Sequence, residues 1–163
     1  ASFLSRATRA LSATVVPEAD GRFRLRWTEH DRAMLAALAA EVEGLLTTDD
    51  PAVARLFPPA YGDDAERNEG YAVLARAELI DARRASLATL SDAMGRDVIG
   101  VEELHALMRA VNDLRLVLGT RLDVSEDEPR RLRRVGKDAA QWATYERLTH
   151  ILGDLVTCLD PDA

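Results

Sequence analysis

Residues 104–122, LHALMRAVNDLRLVLGTRL, decide how the rest of the chain is read. At about 100° per residue, Leu104, Leu107, Met108, Val111, Leu114, Leu118 and Leu122 fall on one continuous apolar face, which predicts a core helix. Arg115 falls in the middle of that face. A guanidinium keeps its charge and is costly to bury alone, so it must reach a carboxylate or carbonyl partner, or snorkel to an edge. Asn112 and Gly119 flank it at helical spacing. The asparagine adds a directional polar group, and the glycine lets another backbone come close. The stretch reads as a helix holding a structural polar knot, with Arg115 largely buried and bridging a carboxylate from another helix. The plainer alternative is a core helix with a single structural ion pair.

The 163 residues are 47% hydrophobic and 30% charged, which suits one globular domain with a real core. Arginine supplies nearly all the positive charge, Lys137 being the only lysine, and alanine is abundant, a composition typical of GC-rich bacterial genomes. A net charge of −7 argues against binding nucleic acid or anionic membranes through the whole surface, although a local basic patch could act. One cysteine excludes an internal disulfide. No apolar run approaches the roughly 20 residues that span a bilayer. The N-terminal SFLSRATRALSATVV lacks a long apolar core of the signal-peptide kind, so a cytoplasmic protein is expected.

Residues 1–11 carry Arg6 and Arg9 and little periodicity, and read as a frayed or partner-dependent leader. From Ser12 the period changes to two. Ser12 to Val16 is rich in β-branched residues, PEADG makes a turn, and Arg22 to Trp27 alternates arginine with Phe23, Leu25 and Trp27. This predicts a hairpin over 12–27 with its aromatic and leucine side chains inward. Arg22, Arg24 and Arg26 form the outer face, which either holds an acidic partner or phosphates, or is solvated and guards an edge strand.

Thr28 with Asp31 resembles a capping box. The helix after it places Met34, Leu35, Leu38, Val42, Leu45 and Leu46 on one side and ends near Thr47. Asp49 or Asp50 then caps a short helix with Pro51 at its first position, and Pro58 and Pro59 stop it. Two helices are expected next. One, from about Ala65 to Arg76, turns Tyr71 and Leu74 inward; the other, from about Glu78 to Met94, stripes Leu79, Ile80, Leu87, Leu90 and Met94 around Arg83. Arg83 thus repeats the oddity of Arg115. Their partners are expected from Asp31, Glu41, Glu78 or Asp81.

After Leu122, the acids Asp123, Glu126, Asp127 and Glu128 meet the basic run RRLRRVGK in a charged loop over 123–138. Arg130, Arg131, Arg133 and Arg134 are a second candidate for anion or partner binding, unless the adjacent acids neutralise them. A last helix, from about Asp138 to Leu159, packs Trp142, Tyr145, Leu148, Leu152, Leu155, Val156 and Leu159.

Catalytic and nucleotide-binding motifs are missing: the chain contains no G-x-G-x-x-G, P-loop, G-x-S-x-G, H-E-x-x-H or C-x-x-C. His150 with Glu146 and Asp154 shares one side of the last helix, but an exposed histidine among acids more often only gains a raised pKa. Cys158 has Asp154 and Asp160 nearby and no adjacent cation, so an activated thiolate is not indicated. No metal, cofactor or catalytic residue is assigned.

The loop sequence RLFPPAY-GDD and the helix sequence AVNDLRLVLGTRL resemble the actinobacterial family known as domain of unknown function 2017, commonly encoded beside the ClpS adaptor. The positions that match the motif are Asn112, Asp113, Arg115, Gly119 and Arg121. The resemblance implies a cytoplasmic, mainly helical bacterial protein without established catalytic activity, some relatives being transcriptional regulators responsive to oxidative stress. A redox switch built on a cysteine pair cannot operate within these 163 residues, because Cys158 stands alone.

The expectation is a single, mainly α domain of five to six helices with an N-terminal β-hairpin, its bundle running over 28–159. It acts by regulation or protein interaction and not by catalysis. Another protein is the expected partner, nucleic acid is the second reading, membrane is not expected, and self-association is open. An interaction module predicts an apolar or polar-rimmed groove. A DNA regulator predicts the hairpin arginines and the RRLRR run on one face. An enzyme predicts a cleft in which Arg115 or Arg83 anchors an anionic substrate.

Overall fold

In the computed structural model, which describes residues 3–57, 65–122 and 135–160, five α-helices and one 3-10 helix are joined by a small antiparallel sheet of three strands. In chain order these are α1 (Phe3–Ser12), β1 (Val15–Pro17), β2 (Phe23–Leu25), α2 (Glu29–Leu45), the 3-10 helix (Pro51–Leu56), α3 (Ala65–Ala93), β3 (Val98–Ile99), α4 (Val101–Arg121) and α5 (Ala139–Leu159). The mainly α architecture with an N-terminal hairpin is the one the sequence predicts.

The central stretch is α4, and it packs against α3, α5, the 3-10 helix and α2. Its buried arc is wider than the leucine stripe, because Ala106, Ala110 and Val117 are buried as well. This widening shifts the arc away from Arg115. Met108 and Arg115 lie at one edge, half-buried, and Asp113 at the other edge is only 2% exposed.

Local signals hold at the other elements. Gly21, with φ of 79°, turns the hairpin, and the register pairs Val15 with Leu25 and Pro17 with Phe23. Leu25 and Trp27 are buried, and Phe23 is half-buried against the core. Thr28 and Asp31 form both bonds of a capping box at the start of α2. Of the two aspartates before Pro51, Asp50 is the cap, accepting from the Ala52 N–H at 2.8 Å.

Several expectations are corrected. The first residues are helical from Phe3, because Phe3, Leu4, Ala7, Ala10 and Leu11 recur at helical spacing opposite Arg6 and Arg9, a period the sequence reading missed. The described side chains of α1, from Thr8 to Ser12, are nevertheless exposed. The two helices expected around Arg76 and Glu78 are one 29-residue helix, because Ala77 between them offers nothing to break it. Tyr71 and Leu74 point outward, 74% and 62% exposed, as the early half of α3 carries them on its solvent side. Val156 is also exposed. The segment read as a DVIG connector contributes a third strand: β3 pairs with β2, and the Leu25 N–H donates to the Asp97 carbonyl at 2.7 Å. Residues 58–64 of the proline loop and 123–134 of the charged loop lie outside the described residues.

Candidate functional site

The arginines of the polar knot separate onto two sides of α4. On one side Arg83, from α3, pairs with Asp113 and donates through its other terminal nitrogen to the Leu56 carbonyl at 2.7 Å. Its guanidinium also lies 6.0 Å from the Phe57 ring centre, and Arg76 covers the same ring at 4.2 Å. Burial pushes the Asp113 carboxyl up from its usual value, and the adjacent Arg83 only partly offsets that. Asp113 was not among the partners the sequence suggested for Arg83. Its place in the NDLR stretch was visible, but a helix position opposite the leucine stripe reads as solvent-facing.

Arg115, on the other side, reaches no carboxylate among the described residues. Its Nε donates to the Thr149 hydroxyl at 2.9 Å, and its guanidinium stacks 5.0 Å from the Tyr145 ring centre. It is half-buried, at the edge of the core, and this corrects the expected buried bridge. Gly119 is buried near the end of α4, and Asn112 is half-buried. The four knot residues therefore do not form one cluster: Arg83 belongs to the α3 side and Arg115 to the α5 side.

A second ion pair, built on a buried aspartate, was not foreseen. Asp31, 3% exposed, takes two hydrogen bonds from Arg147, at 2.9 Å and 2.7 Å, while also accepting the Thr28 N–H of the capping box. The Arg147 guanidinium holds the Asp31 carboxyl down at about 2, despite burial acting the other way, and Arg147 is raised in turn. Nothing local links residues 31 and 147. Arg32 is a second structural arginine, closing the end of α3 by donating to the carbonyls of Met94 at 2.9 Å and Arg96 at 2.8 Å.

The hairpin arginines are exposed, and two of the three are held in ion pairs. Arg22 pairs with Asp20 at 2.7 Å and Arg24 with Glu18, while Arg26 donates to the Ala10 carbonyl at 3.3 Å. The outer face is thus largely self-neutralised. Arg130, Arg131, Arg133 and Arg134 lie outside the described residues.

A groove of about 1050 Å³ opens where the end of α1 and β1 face α5. Ala13, Val15, Val16 and Pro17 form one side, Gly153 and Thr157 the other, and Arg9 and His150 stand on opposite walls. Asp154 anchors the groove's structure: its Oδ2 accepts from both the N–H and the hydroxyl of Thr14, at 2.8 Å and 2.7 Å, with His150 Nε2 at 3.5 Å. Cys158, also at the groove, donates from Sγ to the Val15 carbonyl at 3.5 Å. Burial, and then the Asp154 charge, pushes its thiol up. Among the described residues, no group of three or more histidine, cysteine or carboxylate side chains is placed to hold a metal. Neither Arg83 nor Arg115 lines the groove, but Thr149, which accepts from Arg115, does. No described helix is long and apolar enough to cross a membrane.

Compared with known families, residues 9–159 match the one described as Domain of unknown function (DUF2017). Among curated proteins, the "Oxidative stress regulator AosR" of Mycobacterium bovis and that of Mycobacterium tuberculosis are each 31% identical, the match covering 85% of this chain and 82% of theirs. The "Putative oxidative stress regulator AosR" of Mycobacterium leprae is 30% identical over 68% of this chain and 59% of its own. No solved structure matches the chain.

Proposed function

This chain belongs to the DUF2017 family, and from that membership we propose that it is a non-enzymatic regulator in the response to oxidative stress, acting by contact with another protein. The observation that carries this reading is the similarity to relatives named oxidative stress regulators, which extends over 85% of the chain. Arg83 and Arg115, the side chains that could have anchored an anionic substrate, are committed to Asp113 and Leu56 and to Thr149 and Tyr145. Those commitments support a structural role for them and weigh against catalysis.

Direct DNA contact is the second reading, favoured by the regulator names of the relatives and by Arg26, whose guanidinium meets the Ala10 carbonyl and no acid among the described residues. Against it stand the acids already paired with Arg22 and Arg24 and the net charge of −7, which would repel a duplex. The test of the regulatory role is deletion of the gene in its native host. Transcript profiles with and without peroxide should diverge from the parent and return on complementation. Identical profiles under both conditions would contradict the proposal.

A further inference from the structure

We propose that the groove between β1 and α5 is a binding site for a small organic anion with an apolar body, such as a fatty-acid carboxylate. The proposal rests on the groove itself and not on the regulatory reading. A volume of about 1050 Å³ is at the upper end of small-molecule sites, and its walls include Ala13, Val16, Pro17 and Gly153. An apolar body is the chemistry that such walls favour.

The charge preference follows from which polar groups are already used. Asp154 is the only carboxylate among the described lining residues, and its Oδ2 is held by Thr14 and approached by His150. The Thr149 and Thr157 hydroxyls donate back to the carbonyls of Tyr145 and Gly153, at 3.0 Å and 2.8 Å. The Cys158 thiol donates to Val15. Arg9, by contrast, is exposed, lines the groove and enters none of the ion pairs among the described residues. A carboxylate would meet that guanidinium with the geometry it binds best, two parallel N–H···O bonds.

The same geometry disfavours an extended peptide added to the sheet. The bonds from Arg26 to Thr14 and from Glu18 to Arg22 fix the alternation of β1, so Val15 and Pro17 present their backbone groups to its free edge. Pro17 has no N–H to offer, and the Val15 carbonyl already accepts from Cys158. The edge is blunted, but the concave space beside it stays open.

Titration calorimetry of the full chain with dodecanoate, below its micellar concentration, tests the site. Saturable binding of one dodecanoate per chain is expected, with no binding of the cationic dodecyltrimethylammonium. Arg9→Ala should weaken dodecanoate binding about tenfold, the usual consequence of losing one charge-assisted contact. A Cβ added at Gly153 meets nothing within 4 Å, so Gly153→Leu should fill the groove without disturbing the fold and abolish binding. Arg55→Ala, exposed in the 3-10 helix and outside the groove's lining, should bind as the parent does. No binding to the parent, equal binding of the cationic amphiphile, or unchanged binding by a folded Gly153→Leu would each overturn the proposal. Peroxide-dependent transcript changes that persist in Gly153→Leu would leave the regulatory reading standing while showing that it does not depend on this groove.

Discussion

Asp31 and Arg147, 116 residues apart, meet through two parallel hydrogen bonds that tie the first turn of α2 to the middle of α5. The contact also locks the capping box, since the same carboxylate holds the Thr28 N–H at 3.0 Å. Removing one member of a buried pair costs about 3 to 5 kcal/mol. Arg147 is itself about a third exposed, with 35% of its side chain accessible, so Arg147→Ala should fall at the lower end of that range. Urea denaturation checks this. A midpoint equal to the parent's would show that the pair is incidental.

The pH dependence of stability has a definite sign here. Asp31 is depressed to about 2 in the folded chain, against about 4 when unfolded, so its contribution is full above pH ~4 and is lost as pH falls towards ~2. Asp113 is raised and works in the opposite direction, protonating more readily in the folded state. Asp31→Asn should therefore flatten the acid limb of the stability curve, and Asp113→Asn should steepen it. Parallel acid limbs in parent and variants would contradict the assignment.

Arg83→Ala leaves the carboxylate of Asp113 buried without its nearest counter-charge, and should cost about 3 kcal/mol or more. The double variant Arg83→Ala with Asp113→Asn should recover a large part of that loss. Arg115→Ala, by contrast, loses one hydrogen bond and one partly exposed stacking contact, for about 1 to 2 kcal/mol. Equal losses for Arg83→Ala and Arg115→Ala would mean that burial of the two guanidiniums has been misjudged.

What the sequence made legible was local. The Thr28 capping box, the Asp50–Pro51 start and the hairpin alternation are each decided within a few residues, and each is present. Pairing across the chain was not legible. Asp31 with Arg147, Thr14 with Asp154, and β3 with β2 depend on how elements pack, and a two-residue strand carries no period of its own. Arg115 was misplaced for a different reason: the larger apolar side chains, Met108 among them, defined the face of α4, whereas Ala106 and Ala110 pack closely enough to turn the buried arc away from it. The groove belongs to no single segment, so no motif announced it.

Cys158 should react slowly. Its thiol is half-buried, donates to Val15 and is raised by burial and by Asp154, so little thiolate exists at neutral pH. Alkylation by iodoacetamide should be much slower in the folded chain than in urea, and should accelerate as pH rises. Mild oxidant should give at most a covalent dimer, absent in Cys158→Ser. Rapid alkylation of the folded chain at neutral pH would contradict this account of the thiol.

The central claim, regulation through protein contact and not through DNA, is tested most directly by titrating the protein against random duplex and against its own upstream region. The first 27 residues carry five arginines against two acids, net +3, but Arg22 and Arg24 already hold Asp20 and Glu18. Phosphate contacts are strongly salt-dependent, with about 10³ to 10⁵ in affinity lost between roughly 50 and 200 mM for six to ten of them. The account predicts weak binding, equal for both duplexes and erased at the higher salt. Tight binding to the upstream duplex that survives about 200 mM and exceeds random binding by about a hundredfold would contradict it.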